Sequence, residues 1–252
     1  MAAEDSSSVK SLVRALQVLE CFSVEQPELG PSDISRKLGM QTSTVYNSLS
    51  TFQKCGYLYK NVQTGKYSLG LKVLHLGYIV NSHQGLRDIF LPYLNRIAQE
   101  THEVCYFGIL NDDEVLYIES AYPSGQQQTR NILGERAPLY CTGLGKAMLA
   151  NLPEEDRERI LAKPMRDFTG CTLHDPAILR HNLEEVRLNG YAVDNMEHEF
   201  GIRCVAVPVF NSAGKVFSAV SVSGPSPRFD PETLINDARI IHEILQPLQR
   251  CI

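Results

Sequence analysis

The chain has 252 residues, of which 43% are hydrophobic and 21% charged, a composition typical of a soluble globular protein with room for two domains. Its net charge of −5 argues against a protein that binds nucleic acid over its whole surface. The acidic, serine-rich N-terminus lacks the apolar core of a signal peptide, and no run of about 18 apolar residues predicts a membrane span. We therefore expect a cytoplasmic protein without a membrane partner.

The charge is unevenly distributed along the chain. Residues 9–80 carry eight lysines and arginines against four acidic residues, whereas residues 81–252 carry a net charge of −7. This asymmetry favours contact with phosphates by the N-terminal part alone. The seven cysteines are widely spaced and odd in number, which predicts reduced thiols without a disulfide framework.

Two helices are predicted before residue 40. Apolar residues at helical spacing predict the first over 9–22, with Ser8 as its N-cap. A loop with proline and glycine follows, and Ser32 can cap a short second helix. That helix ends at Gly39, as expected of a glycine after the last turn.

A third helix is predicted over 42–55, with Val45, Leu49 and Phe52 on its buried face. Two helices joined by a tight glycine-bearing turn are typical of the helix-turn-helix that reads DNA. Hydroxyl side chains at the start of the third helix can approach phosphates, and an asparagine one turn later can read a base edge. An αα-hairpin with a polar face is the alternative. The predicted DNA contacts are Gln41, Thr42, Ser43, Thr44, Tyr46, Asn47 and Ser50.

A β-hairpin follows the third helix. Two short strands are predicted over 57–60 and 66–69, with the turn at 61–65. A basic, polar hairpin in this place is typical of a wing, and Lys60 and Lys66 could reach flanking phosphates. The alternative for both lysines is a solvated hairpin surface.

The next segment, 70–84, is predicted to form a helix that links two domains. Its apolar residues Leu71, Leu74, Leu76 and Ile79 are expected to be buried. A rigid helix could transmit a rearrangement between the domains, which a flexible linker would do poorly.

From residue 85 onward, strands and amphipathic helices share the chain. Turn sequences at 111–113 and 211–214 each join two predicted strands. The order of elements predicts an α+β domain around a mostly antiparallel sheet. Helices are predicted over 86–100, 142–151, from 153, over 175–189 and over 230–249, and extended segments over 103–110, 114–121, 130–140, 191–194, 204–210 and 215–223.

Several stretches over nearly the whole chain together carry a family resemblance. They are SLVRALQVLECF, PSDISRKLGMQTSTVYNSLSTFQKCGYL, KYSLGLKVLHLG, ERAPLYCTGLGKAMLA, NGYAVDNMEHEFGIRCVAVPVF and SAVSVSGPSPR. On these stretches the chain resembles the IclR family of bacterial transcriptional regulators. The last three together are highly specific, whereas many families share the helix-turn-helix.

The resemblance implies a winged helix-turn-helix domain over 1–69, a linker helix over 70–84 and a GAF-like, ligand-sensing α/β domain over 85–252. It also implies a homodimer or a dimer of dimers on a palindromic operator. The effector would be a small metabolite, which in most members of the family is an acid. Repression is favoured over activation. One position departs from the family pattern: Asn47 stands where an arginine is common, so we expect a different operator preference.

The family's ligand pocket maps onto seven residues here. Free N–H groups of Gly143 and Leu144 at a helix start can hold a carboxylate. Ser221 and Ser223 are two apart on one strand, so both hydroxyls face the same side. The predicted effector-binding residues are Cys141, Gly143, Leu144, Asp194, Cys204, Ser221 and Ser223.

Asp194 is awkward beside an anion, because like charges repel at short range. Three alternatives remain open: the carboxylate accepts a ligand hydroxyl, it is protonated, or it binds a cation. The first suits a hydroxy or keto acid best. A zinc site formed by Cys141, Asp194 and Cys204 is a further alternative if the three converge.

Enzymatic function finds little support in the sequence. No nucleophile, base and orienting group form a pattern, and no cofactor motif is present. The segment 143–146 resembles a phosphate loop, but Tyr140 occupies the position of a required glycine and Ala147 that of the magnesium-binding hydroxyl. We therefore expect a ligand-controlled, DNA-binding regulator without a cofactor or a metal. A metabolic enzyme with a fused helical head and a redox or metal sensor are the competing hypotheses.

Overall fold

The structure is a computed structural model that describes residues 9–82, 85–126 and 132–248. The chain forms two compact units, residues 1–84 and residues 85–252. The helix predicted as a linker belongs to the first of them. Ser8, His83 and Cys251 lie outside the described residues.

The N-terminal unit contains the three predicted helices, the hairpin and the linker helix. The first helix is shorter than predicted and starts after Val9. The other boundaries agree to within two residues. The elements are α1 (Lys10–Leu19), α2 (Pro31–Leu38), α3 (Thr42–Lys54), β1 (Leu58–Lys60), β2 (Tyr67–Leu69) and α4 (Leu71–Ser82).

Local hydrogen bonds fix the α2–α3 turn. Gly39 adopts a left-handed conformation (φ 63°) and ends α2, as predicted. The Ser35 hydroxyl donates to the Met40 carbonyl at 2.5 Å, and the Thr42 hydroxyl donates to Ser35 Oγ at 3.1 Å. These bonds hold the start of α3 against α2.

The predicted N-cap of α2 was wrong. Gly30, not Ser32, precedes the helix, and Pro31 occupies the first helical position. The Asp33 carboxylate accepts the Gly30 N–H at 3.0 Å. Proline fits this position because the first helical N–H has no partner within the helix.

The core of this unit joins all its elements except α4. Val45 and Leu49 of α3 are fully buried, as predicted, while Phe52 packs half-buried at the edge. Leu29 and Tyr67 exchange two backbone hydrogen bonds of 2.9 and 3.0 Å, so the wing is tied to the segment before α2. The buried core residues are Val18, Cys21, Leu29, Ile34, Val45, Leu49, Leu58 and Tyr67.

The expectation that the linker helix buries its apolar residues was wrong for the single chain. Leu71, Leu74, Leu76 and Ile79 are 83%, 71%, 43% and 41% exposed. Helix α1 shares this property, since Val9, Leu12, Val13 and Leu16 are exposed as well. The apolar residues at helical spacing on α1 and α4 are therefore not covered by the described core of the N-terminal unit.

The C-terminal unit contains a six-stranded sheet in which every neighbouring pair is antiparallel, in the order β5-β4-β3-β8-β7-β6. The α+β prediction is therefore confirmed. The strands are β3 (Val104–Asn111), β4 (Glu114–Ala121), β5 (Arg136–Pro138), β6 (Ala192–Asn195), β7 (Ile202–Phe210) and β8 (Val216–Pro225). The helices are α5 (Gly85–Thr101), α6 (Gly143–Ala150), α7 (Glu154–Leu161), α8 (Pro176–Asn189) and α9 (Pro231–Leu245), with a 3-10 turn at Ser226–Arg228.

Helices cover both faces of this sheet. Helices α5 and α9 pack on one face, where Phe107, Val205 and Val222 form the core with Phe90 and Ile241. Helices α6, α7 and α8 pack on the other face. Side chains alternate between the two faces along a strand. Ser221 and Ser223 of β8 therefore lie on the face covered by α6, as does Ala219, whereas Val220 and Val222 lie on the opposite face.

Two predictions for the ends of elements need correction. The predicted extended segment 130–140 is a strand only at Arg136–Pro138, and 130–131 fall outside the described residues. The last helix ends at Leu245 rather than near residue 249. The described cysteines are all free thiols, and in the described ranges no helix is long and apolar enough to cross a membrane.

Replacing Gly70 with alanine should destabilise the N-terminal unit by about 1–3 kcal/mol. A Cβ atom there would lie 2.6 Å from the Gly56 carbonyl oxygen and 3.2 Å from that of Tyr57. Gly77→Ala is the matched control, because nothing lies within 4 Å of a Cβ at that position. It should be neutral or stabilising by up to about 1 kcal/mol, since alanine favours a helix. Urea unfolding followed by circular dichroism measures both, and an unchanged Gly70→Ala midpoint would contradict this close packing.

Candidate functional site

A cavity of about 500 Å³ opens in the C-terminal unit between β-strands and the start of α6. Ligand sites in proteins have volumes of this order. Six of the seven predicted effector-binding residues line it, namely Gly143, Leu144, Asp194, Cys204, Ser221 and Ser223. Cys141 is fully buried and is not part of the lining.

Strand register brings these residues together. Asp194 of β6 pairs with Cys204 of β7, which pairs with Ser223 of β8, and Ser223 pairs with Val104 of β3. One row across four strands thus forms the floor of the cavity. Ser221 lies two residues before Ser223 and faces the same side, as the sequence predicted.

The N-terminus of α6 forms the opposite wall. The Thr142 hydroxyl caps the helix by accepting the Gly145 N–H at 3.0 Å. A Cβ on Gly143 would lie 2.4 Å from Cys204 Sγ, so only glycine permits this approach of helix to strand. The Gly143 N–H and the Ser221 hydroxyl lie near the Cys204 sulfur and act to lower the pKa of this thiol, against the larger raising effect of burial.

Asp194 is 7% exposed and accepts the Glu197 N–H at 2.7 Å. Burial raises the pKa of this carboxyl to about 7, and the negative charge of Glu197 acts in the same direction. The Glu197 N–H and the Lys146 ammonium oppose the shift. Near neutral pH a substantial share of Asp194 is therefore protonated and uncharged.

A buried ion pair beneath the cavity was not found by sequence reasoning. The Lys146 ammonium of α6 donates to Glu197 Oε1, and their side chains are 1% and 4% exposed. The Thr172 hydroxyl donates to the Glu197 carbonyl at 2.6 Å. The sequence signal that could have indicated this pair is a lysine within the apolar stretch 143–150, because a buried lysine needs an acidic partner.

The mouth of the cavity contains a second ion pair. The Arg228 guanidinium binds Glu103 through Nε and Nη2, and Glu103 is almost buried whereas Arg228 is half-exposed. Two more carboxyl groups, those of Glu135 and Glu199, belong to the lining. Among the described lining residues, acidic side chains therefore outnumber basic ones, which the sequence did not predict.

The structure does not support a zinc site at the thiols near the cavity. Burial raises the pKa of Cys204 to about 12 and raises that of Cys141 further above its ordinary range, whereas zinc binds the thiolate. Within the described ranges, no three or more cysteine, histidine or acidic side chains form a group suited to a metal ion. The structure thus does not bring Cys141, Asp194 and Cys204 together as a ligand set.

Most of the predicted DNA-binding residues are exposed on the N-terminal unit. Tyr46 is 49% exposed, and Asn47 is exposed as well, whereas Ser50 is half-buried. In the wing, Lys66 is exposed and Lys60 half-buried. The other exposed predicted residues are Gln41, Thr42, Ser43 and Thr44.

Comparison with known proteins agrees with this architecture. Residues 11–61 match the IclR helix-turn-helix domain, and residues 79–249 match the C-terminal domain of the bacterial transcriptional regulator IclR. The chain belongs to the IclR family of bacterial transcriptional regulators. It is a DNA-binding regulator rather than an enzyme, because its relatives are HTH-type transcriptional regulators.

One relative is the HTH-type transcriptional regulator XynR of Escherichia coli (strain K12), which is 34% identical over 90% of this chain and 91% of its own length. The crystal structure of an IclR family transcriptional regulator from Brucella abortus superimposes with a TM-score of 0.87 at 26% identity, covering 99% of this chain and 94% of that one. An IclR homologue from Microbacterium hydrocarbonoxydans, complexed with 4-hydroxybenzoate, gives a TM-score of 0.69 at 27% identity, with coverages of 94% and 99%.

Replacing Asp194 with asparagine should stabilise the protein more at pH 8 than at pH 5. Because its pKa of about 7 exceeds the ordinary value of 3.8, the folded chain keeps a proton that the unfolded chain loses. This contribution to stability is complete below the unfolded pKa and is lost as pH rises through 7. Each pKa unit corresponds to about 1.4 kcal/mol. Between pH 5 and pH 8, the free energy of unfolding of the asparagine variant relative to the wild type should therefore increase by about 2–3 kcal/mol.

Urea unfolding at the two pH values measures this difference. Asp230→Asn is the control, because a helix N-terminal amide lowers the pKa of Asp230 and no growing advantage should follow. A pH-independent difference for Asp194→Asn would contradict the protonated state.

Proposed function

We propose that the protein is a repressor whose operator binding is controlled by a small organic or sugar acid bound in the cavity of the C-terminal unit. The observation that carries this proposal is the cavity itself, where the start of α6 and the β8 serines face each other. The Microbacterium relative was crystallised with 4-hydroxybenzoate, an aromatic hydroxy acid. Repression is the simpler mode because it requires only occupation of a promoter. The protein would act in the cytoplasm.

In the proposed complex, the ligand carboxylate lies at the positive end of α6. The Gly145 amide already binds the Thr142 hydroxyl, so the Gly143 and Leu144 amides are the first-turn N–H groups that we assign to the ligand. The hydroxyls of Ser221 and Ser223 donate from the sheet. Asp194 in its neutral form removes the repulsion that its carboxylate would exert on an anion. It can also accept a ligand hydroxyl.

On the DNA side, the α3 helices of two protomers would enter successive major grooves of a palindromic operator, about 34 Å apart. The hydroxyl side chains at positions 42–44 would contact phosphates, and Asn47 would read a base edge. We assign to the linker helix, 70–84, the transmission of the ligand signal. A ligand changes DNA affinity only to the extent that it prefers one arrangement of the protein.

The proposed dimer, or dimer of dimers, would bury the exposed apolar faces of α1 and α4. Each face presents at least four apolar residues to solvent, which is unusual for a monomer. A second copy of this chain brings the same two faces, so a twofold contact can cover them together.

The ligand prediction is tested by a thermal-shift screen of small organic and sugar acids. A ligand at 100 times its Kd should add about 2.7 kcal/mol to stability and raise the midpoint. Ser221→Ala/Ser223→Ala should abolish that shift and leave duplex binding intact, because the serines lie outside the N-terminal unit, which we call the head. Ser218→Ala is the control, since Ser218 lies on the same strand outside the cavity lining. Loss of ligand and DNA binding together would contradict the separation of roles.

The dimer prediction is tested by sedimentation velocity of Leu12→Glu/Leu74→Glu. Charges in both apolar faces should shift the protein toward the monomer and weaken binding to operators selected from a random pool by more than about tenfold. Leu188→Glu serves as the control, because Leu188 is 87% exposed on α8. A double variant that sediments like the wild type would place the interface elsewhere.

A further inference from the structure

Lys60 lies on the inner face of the wing (β1, β2 and their turn), next to helix α3. Lys60 and Tyr67 are direct partners in the β1–β2 register, and direct partners project to the same face of a hairpin. Tyr67 is 1% exposed and belongs to the core of the head. The Lys60 side chain is therefore half-buried instead of extending freely from the hairpin.

Two aromatic rings surround the Lys60 ammonium. Its Nζ lies 5.3 Å from the ring centroid of Tyr67 and 5.9 Å from that of Tyr46. Both distances are within the reach of a cation–π interaction, which extends to about 6 Å. Because Tyr46 belongs to α3 and Tyr67 to the wing, the ammonium lies where these two elements meet.

Lys66 has different surroundings. It is exposed and borders a shallow groove together with Glu25, Glu28 and Asp33. These carboxylates lie in and after the loop between α1 and α2. They lower the local positive potential and repel a phosphate.

We propose that Tyr46 and Tyr67 hold Lys60 in place as the phosphate-binding lysine of the wing, with Tyr46 as a positioning residue, and that Lys66 contributes little to DNA binding. The inference rests on the DNA binding of the proposed function and is independent of its ligand. It divides residues that sequence reasoning grouped as equivalent contacts into three roles.

Positioning matters here because a lysine has four rotatable bonds. Fixing a free lysine on a phosphate costs side-chain entropy of about 1.5–2 kcal/mol. A side chain already held between two rings has lost part of that freedom before DNA binds. The ammonium group has three N–H donors. Because a cation–π contact is an electrostatic attraction to the ring face, N–H donors remain available for a hydrogen bond to phosphate.

Phosphate contacts are counted by the salt dependence of DNA affinity. The full chain is titrated with a fluorescent 30-base-pair duplex of arbitrary sequence at several KCl concentrations, and log K is plotted against log salt. Each lost phosphate contact lowers the slope by about 0.9. Lys60→Met should lose about one contact per bound head and bind roughly fivefold to tenfold more weakly at 0.1 M salt. Lys66→Met, the matched control, should keep the wild-type slope.

The role of Tyr46 is separated from direct contact by two substitutions. Tyr46→Phe keeps the ring and should bind like the wild type, whereas Tyr46→Leu removes the ring and should lose part of the affinity lost in Lys60→Met. In the Lys60→Met background, Tyr46→Leu should have no further effect. Circular dichroism melts of each variant verify that the head remains folded.

Four results would overturn the inference. A lowered slope in Lys66→Met with a normal slope in Lys60→Met would reverse the two lysines. Equal losses in Tyr46→Phe and Tyr46→Leu would make the hydroxyl a direct DNA contact, and additive losses in the double variant would make Tyr46 independent of Lys60. A wild-type protein that binds no duplex would overturn the proposed function as well, whereas a missing ligand response would leave the role of Lys60 intact.

Discussion

The ion pair between Lys146 and Glu197 holds together the two walls of the cavity. Lys146 belongs to α6, whose first turn forms one wall, and Glu197 belongs to the loop after β6, which carries His198 and Glu199 into the lining. Removing one member of a buried pair leaves an uncompensated charge and costs about 3–5 kcal/mol. The Glu197 N–H also binds Asp194. One interaction thus anchors the helix start, the loop and the carboxyl group at the centre of the site.

The charge of the cavity wall limits what can bind there. Glu103 is neutralised by Arg228, and Glu197, beneath the wall, by Lys146. Among the described residues Asp194 forms no ion pair, and burial together with the neighbouring Glu197 charge raises its pKa to about 7. Pairing of Glu103 and partial protonation of Asp194 therefore reduce the repulsion that these two lining carboxyl groups would exert on a negative ligand.

Close contacts join α4, the last helix of the N-terminal unit, to the end of α3. The Lys72 ammonium donates to the Cys55 carbonyl at 3.1 Å and lies 4.6 Å from the Tyr57 ring centroid. Gly70 approaches the Gly56–Tyr57 backbone so closely that a side chain has no room. Helix α4 is therefore joined to the end of α3, so the proposed linker directly contacts the helix that we propose binds DNA.

The sequence by itself determined the family, the DNA-binding head, the antiparallel α+β unit and most element boundaries, because these follow from local signals. Gly39 and Gly190 end helices through their own backbone conformations, and the alternation along β8 alone places Ser221 and Ser223 on one side.

The tertiary structure decided what depends on distant residues. Lys146 and Glu197 are 51 positions apart in the sequence. The acidic residues of the cavity lining come from several separate elements. The two wing lysines are distinguished by the residues that surround them. Helical periodicity likewise showed that α4 has apolar residues, but a period cannot tell whether the same chain covers them, since burial depends on packing in three dimensions.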